Sequence, residues 1–460
     1  MGANLRDSSA NSLAVRLFDS IVQPTPTAAA RLAATPMPSP TATPKEKKVR
    51  TTPTPPAPVP ALVMGGPKRY LPLALWHPTP FPTPGPYGWK GIGDTWEAKA
   101  IGLDAAPANQ FWGLAPSWWY DWGYRVRDAA AQSATSPAGT LAILEAGLKD
   151  IGYVPMIFCP QDAASTAPSP QQAADLARRY PGRVWLLFNE PDNSDQCGAS
   201  IKIKYSWFPP NPVTANPQDW KPLGKYLGEQ YALYYNTIKA ADPAAKVFAF
   251  NPVQLPLPTL SGLYWPGGVS LWNAFLEELT NQGQSLDGVA IHAYPSNAST
   301  YHTGCQWFYY LEPGCVQEAL VSAYKFFQGT DATPSQNPYA ALTRNKPIWI
   351  TEIGTLAALN APVQGQPLTW ARVRDGFEAP MLNWFKQSSI PGGNCAYING
   401  VSWFSTYCKD PNHSPPWWDY TASNLLDHLS FPTQRRLTDV GAAWRDASCP
   451  TCQCPGPGCP

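Results

Sequence analysis

From about residue 88 onward the sequence repeats one pattern eight times: a short, nearly continuous apolar run, then a segment of helical periodicity. Strands are expected at Gly88–Ile92, Phe111–Ala115, Tyr153–Phe158, Val184–Phe188, Lys246–Phe250, Leu286–Ala293, Pro347–Thr351 and Val401–Phe404. Helices are expected around Trp96–Leu103, Leu141–Asp150, Gln171–Tyr180, Leu223–Ala241, Leu271–Asn281, Val316–Phe327, Phe377–Lys386 and Leu437–Ala447. A strand that is apolar along its whole length must be covered on both faces, the condition of a parallel sheet between helices. Eight such units in succession point to the α/β class and to a (β/α)8 TIM barrel over residues 88–447. An open doubly wound sheet uses the same units, but no Gly-rich phosphate loop follows an early strand.

The chain before this region is of another kind. Eighteen of the 54 prolines lie between Pro24 and Pro86, in runs such as Thr52-Pro-Thr-Pro-Pro, with Ala and Thr between them. Such a stretch lacks the donors for a sheet and the periodicity for a helix, so residues 1–87 are expected to be a disordered Pro/Thr/Ala-rich linker or stalk. Residues 448–460 form a Cys/Pro/Gly-rich tail.

Charged residues make up 14% of the chain and the formal net charge is +1, so there is no basic field for a polyanion, and nucleic acid is not expected as a partner. The longest apolar stretch near the start, Tyr70–Trp76, is too short to span a bilayer, and no transmembrane segment is expected. Ten cysteines without a finger-like metal spacing suggest an oxidising compartment, hence a secreted or cell-surface protein, expected to be monomeric. Residues 1–20 carry Arg6, Asp7, Arg16 and Asp19 and show no ordinary signal peptide. Twenty Trp and 21 Tyr serve either a large core or a cleft lined with flat faces, and counting does not separate the two.

In such a barrel the chemistry sits where strands pass into βα loops. Two glutamates stand there: Glu190 in Phe188-Asn-Glu-Pro-Asp192 after the fourth strand and Glu352 in Trp349-Ile-Thr-Glu-Ile-Gly354 after the seventh. Glycosidic cleavage needs a carboxylic acid that protonates the leaving oxygen and a carboxylate that traps or stabilises the oxocarbenium-like centre. The plainer reading is that Asn189 and Asp192 cap a following segment and that both glutamates are solvated. Asn-Glu-Pro after strand four together with Thr-Glu-Ile-Gly after strand seven resembles the acid/base and nucleophile motifs of the large barrel clan of retaining glycosidases. Within it the chain most resembles the glycosyl hydrolase catalytic core group, family 128, which acts on β-1,3-glucans. The likeness rests on Ser117-Trp-Trp-Tyr-Asp-Trp-Gly123, Val154-Pro-Met156, Phe188-Asn-Glu-Pro-Asp192, Ile291-His-Ala-Tyr294 and Lys346-Pro-Ile-Trp-Ile-Thr-Glu352.

The resemblance implies Glu190 as acid/base, Glu352 as nucleophile and Asn189 as the partner of the sugar 2-hydroxyl. It implies an endo-acting β-1,3-glucanase, with xylan-, mannan- or exo-acting glycosidases and a non-catalytic carbohydrate-binding surface protein as alternatives. Its substrate is an oligo- or polysaccharide, and the chemistry needs neither metal nor organic cofactor. His292 and Tyr294, two apart on strand six, share one side and are expected to hydrogen-bond Glu352. Trp403 is expected at the floor of the subsite for the reacting sugar, and Trp118, Trp119, Tyr120 and Trp122 as candidate platforms, some of them given to packing. Under this fold Cys159 pairs with Cys197, Cys305 with Cys315, and Cys395 with Cys408, while Cys449, Cys452, Cys454 and Cys459 are expected to form local disulfides rather than a zinc site.

Overall fold

The computed structural model describes residues 89–93, 114, 116–124, 152–165, 167–209, 216–253, 255–257, 267–295, 311–386, 398–406, 420–427 and 436–447. The expected stalk, the helices expected around 96–103 and 141–150, the pair Cys395–Cys408 and the C-terminal tail lie outside these residues. So does Cys305.

Eight parallel strands are found among the described residues: β1 (Lys90–Gly93), β2 (Trp118–Tyr120), β3 (Met156–Ile157), β4 (Val184–Leu187), β5 (Lys246–Phe248), β6 (Val289–His292), β7 (Ile348–Ile353) and β8 (Ile398–Trp403). They form two sheets, one ordered β2-β1-β8-β7-β6 and one β3-β4-β5. The sheet ends meet at single bridges, Trp119 with Tyr153 and Phe248 with Gly288, where Val154 N–H donates to Trp119 C=O at 2.8 Å and Ala249 N–H to Gly288 C=O at 2.9 Å.

Side-chain alternation sorts the strands into two apolar clusters. Trp119, Trp185, Leu187, Val247, Val289, Ile291, Ile348 and Ile350 join helix residues such as Leu176, Leu227, Phe275 and Phe327. Their neighbours Trp118, Tyr120, Val184, Leu186, Phe248, Ala290 and Trp349 form the second cluster on the opposite strand faces. Trp118 stacks on Trp349 at 4.4 Å, and Phe248 meets Trp349 edge-on at 5.0 Å. Burying aromatic groups of this size contributes on the order of 2–3 kcal/mol each. The stack needs Gly91: a Cβ there would lie 2.2 Å from the Trp118 ring.

The helices cover the first cluster. α1 (Pro170–Arg179) starts on a capping box between Ser169 and Gln172. α2 (Lys221–Ala241) packs along α3 (Gly268–Asn281), close enough that a Cβ at Gly224 would sit 2.3 Å from the Leu271 carbonyl. α4 (Pro313–Gln328) ends at Gly329, whose φ of 69° is the left-handed stop that glycine adopts freely. α5 (Asp439–Asp446) brings Trp444 onto Trp89 and Trp403, at 5.8 Å in both cases.

Two expectations are corrected. The aromatic run expected to supply sugar platforms is itself a strand over Trp118–Tyr120, while most of the strand expected at Phe111–Ala115 lies outside the described residues. Bulky aromatics buried on both faces suit a parallel strand well. The seventh strand runs to Ile353, so Glu352 lies inside it rather than after it.

Candidate active site

Glu190 follows β4 in a tight backbone. Phe188 and Glu190 take φ of 48° and 41°, the sparsely populated left-handed region, and each such residue costs of order 1–3 kcal/mol. Flanking hydrogen bonds hold the turn. Asn251 donates its N–H to Phe188 C=O at 3.0 Å and accepts from Glu190 N–H at 2.8 Å, while Asn189 N–H donates to Phe158 C=O at 2.9 Å. The loop beyond is braced by Asp192, whose Oδ1 accepts from Val253 N–H at 3.0 Å. The Cys159–Cys197 disulfide, expected from the sequence, ties it to the loop after β3 with a Cα–Cα distance of 5.2 Å. Cys315 is disulfide-bonded as well.

Glu352 reaches the same place through a β-bulge. In the β6–β7 register Ile291 opposes Ile350 and His292 opposes Glu352; in the β8–β7 register Val401 opposes Ile350 and Trp403 opposes Ile353. β7 therefore holds one extra residue at Thr351–Glu352 relative to both neighbours. Plain alternation from inward Trp349 would turn Thr351 in and Glu352 out. The extra residue lets both face inward and returns Ile353 to the helix side, where it packs in the larger cluster. At the bulge, Tyr120 Oη donates to Thr351 C=O at 2.6 Å and Thr351 Oγ1 donates to Asn251 Oδ1 at 3.0 Å.

The two carboxylates are almost fully buried, Glu190 at 8% and Glu352 at 4% exposure. One oxygen of each and a nitrogen of His292 lie within 4.8 Å of one another. His292, fully buried on β6, bridges them: Nδ1 is 2.9 Å from Glu190 Oε1 and Nε2 is 3.4 Å from Glu352 Oε1. Asn193 Nδ2 donates to Glu190 Oε2 at 2.7 Å. On Glu352, Trp122 Nε1 donates to Oε1 at 2.7 Å and the Tyr294 hydroxyl donates to Oε2.

These surroundings separate the two acids. Burial pushes Glu190 up to about 7, against the pull of the Asn193 amide and with the charge of Asp195 adding to the rise. Burial raises Glu352 too, and the Glu190 charge adds to it, but His292, Tyr294 and Trp122 all work the other way by favouring the anion. Burial lowers His292, so its ring is neutral near neutral pH. With the shared proton on Glu190, its hydroxyl donates to Nδ1, which places the ring proton on Nε2, facing Glu352. Of the two, Glu190 is the one raised to about 7, and Glu352 is the one whose anion its neighbours favour against burial.

Two carboxylates and an imidazole are also a conceivable metal set, and among the described residues this is the group with such spacing. Both oxygens of Glu352 already accept hydrogen bonds, from Trp122 and Tyr294, and His292 Nδ1 is engaged by Glu190. The arrangement suits proton transfer.

The structure brings Glu190, Glu352, His292, Tyr294, Trp122 and Asn189 together. Asn189 is buried beside Glu190, and its Oδ1 has no hydrogen-bond partner. His292 shares a strand face with Tyr294 as expected, but its hydrogen bond goes to Glu190 rather than Glu352. Trp403 is not at the site. Its alternation places it with Ile92 and Val401 on the helix side, against Phe377 and Trp444, and Nε1 donates to Ser423 C=O at 2.8 Å. Trp118 and Trp119 are fully buried packing residues, and Tyr120 serves beneath the site through Thr351.

The sequence reading missed Asn193, Asn251, Thr351 and Phe404. Phe404, half-buried, stands edge-on to Trp122 and Tyr294 at 5.8 Å from each. Its aromatic character was the available signal, hidden by the neighbouring tryptophan. Trp122, held by Glu352, has a φ of 57°, a strained conformation for so bulky a residue.

No family model matches this sequence, and no curated protein matches it. Solved structures similar to the chain include a GH128 (subgroup I) endo-beta-1,3-glucanase from Amycolatopsis mediterranei in complex with laminaritriose, at 16% identity, covering 78% of this chain and 100% of that one, TM-score 0.41. A GH128 (subgroup III) curdlan-specific exo-beta-1,3-glucanase from Blastomyces gilchristii is similar at 16% identity over 78% and 97%, TM-score 0.36. A GH39 beta-xylosidase from Caulobacter crescentus is similar at 12% identity over 79% and 71%, TM-score 0.40. Likenesses this distant leave the substrate to the chemistry of the site.

Proposed function

We propose that the chain is a secreted retaining β-glycoside hydrolase, acting as an endo-β-1,3-glucanase, on a (β/α)8 barrel that closes at the Trp119–Tyr153 and Phe248–Gly288 bridges. One observation carries the reaction class: two buried carboxylates with oxygens within 4.8 Å, one pushed up to about 7 and the other fed by Trp122 and Tyr294. Retaining glycosidases hold their pair about 5–5.5 Å apart and inverting ones about 6.5–9.5 Å, to admit a water between them. The close approach supports retention. The sequence motifs around both glutamates support a β-1,3-glucan as the substrate.

In this reading Glu190 gives its proton to the glycosidic oxygen as Glu352 attacks the anomeric carbon, and the C–O bond to the leaving chain breaks. His292 then faces a deprotonated Glu190, which takes a proton from water as that water opens the glycosyl ester on Glu352. Configuration is inverted twice and so retained. Asn189 Oδ1, an unmatched buried acceptor beside Glu190, suits a sugar hydroxyl, whose hydrogen bond strengthens as charge builds at the anomeric carbon.

Reducing-sugar release from soluble β-1,3-glucan, mixed-linkage glucan, xylan and mannan, with proton NMR of the first product formed, tests the proposal. Rapid hydrolysis of β-1,3-glucan with the β-anomer appearing first is the expected result. Binding without release would turn the reading to a carbohydrate-binding protein, and the α-anomer first would make it inverting.

Residues 1–87 are proposed as a stalk and residues 448–460 as a short tail, neither entering the chemistry. A chain beginning near Pro84 should match the full one in melting temperature and specific activity. A drop of many degrees would show that part of the Pro-rich tract packs on the catalytic region.

A further inference from the structure

The bulge that turns Glu352 inward and the strained turn that presents Glu190 converge on one residue. Asn251, just after β5, is fully buried. Its main chain makes two of the hydrogen bonds that hold the turn, to Phe188 C=O and from Glu190 N–H. Its side-chain Oδ1 accepts from the hydroxyl of Thr351, the bulge residue immediately before Glu352. Its Nδ2 has no partner. An unmatched buried amide is a costly feature to keep for stability alone, because an apolar residue of similar size avoids that cost.

We propose that Asn251 is a positioning residue that latches the two catalytic strand ends to each other, setting the separation of Glu190 and Glu352 through its main-chain clasp on one side and its Thr351 hydrogen bond on the other. The latch explains why the bulge sits at Thr351. The extra residue leaves the Thr351 carbonyl to Tyr120 Oη, while the Thr351 hydroxyl reaches Asn251 Oδ1 at 3.0 Å and the Ile291 carbonyl at 3.2 Å, so the bulge has fixed points on both sides and Glu352 a single direction. It also explains why two left-handed residues persist side by side with Asn189: the Asn189–Asn251 bridge over-determines them. A shift of one carboxylate by about 1 Å costs roughly 100-fold in rate, so a tie between the two strand ends is felt at the chemistry.

The proposal rests on the glycosidase reading for its kinetic arm only. Thr351→Val removes the hydroxyl and keeps the bulk, whereas Thr351→Ser keeps the hydroxyl and removes a methyl; Asn251→Ala removes the side-chain half of the latch. Two readouts separate positioning from mere stability: the titration of Glu190 and Glu352, followed by carbon-13 NMR of labelled glutamate without substrate, and kcat against KM on soluble β-1,3-glucan. Thr351→Val and Asn251→Ala should each lower kcat by roughly 10–100-fold with KM within about threefold, and each should move the Glu190 titration down by about one unit as water reaches the loosened pair. Thr351→Ser should restore the parental titration and rate. The double variant should be no worse than the worse single one, since both cut the same tie. The latch is overturned if Thr351→Val titrates and turns over like the parent, if Thr351→Ser is as impaired as Thr351→Val, or if the two single losses multiply. Should the parent protein hydrolyse no glycan, the functional reading falls while the titration arm still judges the latch; and if Asn251→Ala fails to fold, the two Thr351 variants decide it.

Discussion

Glu352→Ala should lower kcat on β-1,3-glucan by roughly 10⁴- to 10⁶-fold, the largest loss expected from a single substitution in this protein. The side chain is the nucleophile of the proposed reaction, no second carboxylate among the described residues shares its two donors, Trp122 and Tyr294, and His292 Nε2 lies 3.4 Å from its Oε1. A small cavity is left in its place, lined by groups arranged for an anion. External azide should enter it and restore turnover on an activated aryl β-glucoside, and because azide attacks once, with no enzyme ester to follow, the glucosyl azide should be the α-anomer. A β-configured azide would mean that Glu352 is the acid/base and Glu190 the nucleophile. Melting temperature should hold or rise, since the substitution removes a buried carboxyl whose anion is costly to bury. Inactivity accompanied by unfolding would leave the nucleophile assignment without support.

How far this site was readable from the sequence depended on whether plain alternation held. On β6 it held: His292 and Tyr294, two apart, both face the carboxylates, with Val289 and Ile291 on the helix side. On β7 it did not. Counting from Trp349 turns Glu352 away from the site, and only an extra residue, visible in register with two neighbouring strands, turns it back. The motif pointed to Glu352 all the same, because motif residues report chemistry while alternation reports geometry. Trp403 shows the converse error. As the aromatic at the end of β8 it looked like a sugar platform, yet its register with Ile92 gives it to the core, and Phe404, one residue on, meets Trp122 and Tyr294. The aromatic run at 117–123 was legible as unusual but not as a strand. Trp118 and Trp119 are spent on opposite faces of β2, Tyr120 supports the bulge, and Trp122 donates to the Glu352 carboxylate. Asn251 carried no local signal at all, since what it does depends on two other strands.

Glu190→Ala should act differently on good and poor leaving groups. On β-1,3-glucan, whose leaving sugar needs a proton, kcat/KM should fall by roughly 10²- to 10⁴-fold, the usual contribution of a positioned general acid. On an aryl β-glucoside with a strongly acidic phenol, kcat/KM should change by less than about tenfold, and azide should raise kcat with the β-glucosyl azide as product, because the ester on Glu352 is still formed. The pH dependence follows from the carboxyl environments. Glu190 sits at about 7, so the parent's kcat/KM on glucan should fall as the pH rises through about 7, where the acid loses its proton, and fall again at low pH as Glu352 gains one. In Glu190→Ala on the activated substrate the upper limb should vanish and the lower one remain. The same displacement has a stability side. A carboxyl raised above its unfolded value of about 4.3 folds at no charge-burial cost in acid and at increasing cost as the pH climbs toward 7, so Glu190→Gln should gain stability over the parent at pH 8 and little at pH 4. An upper limb that survives unchanged in Glu190→Ala would assign it to another group and remove Glu190 from the role of acid.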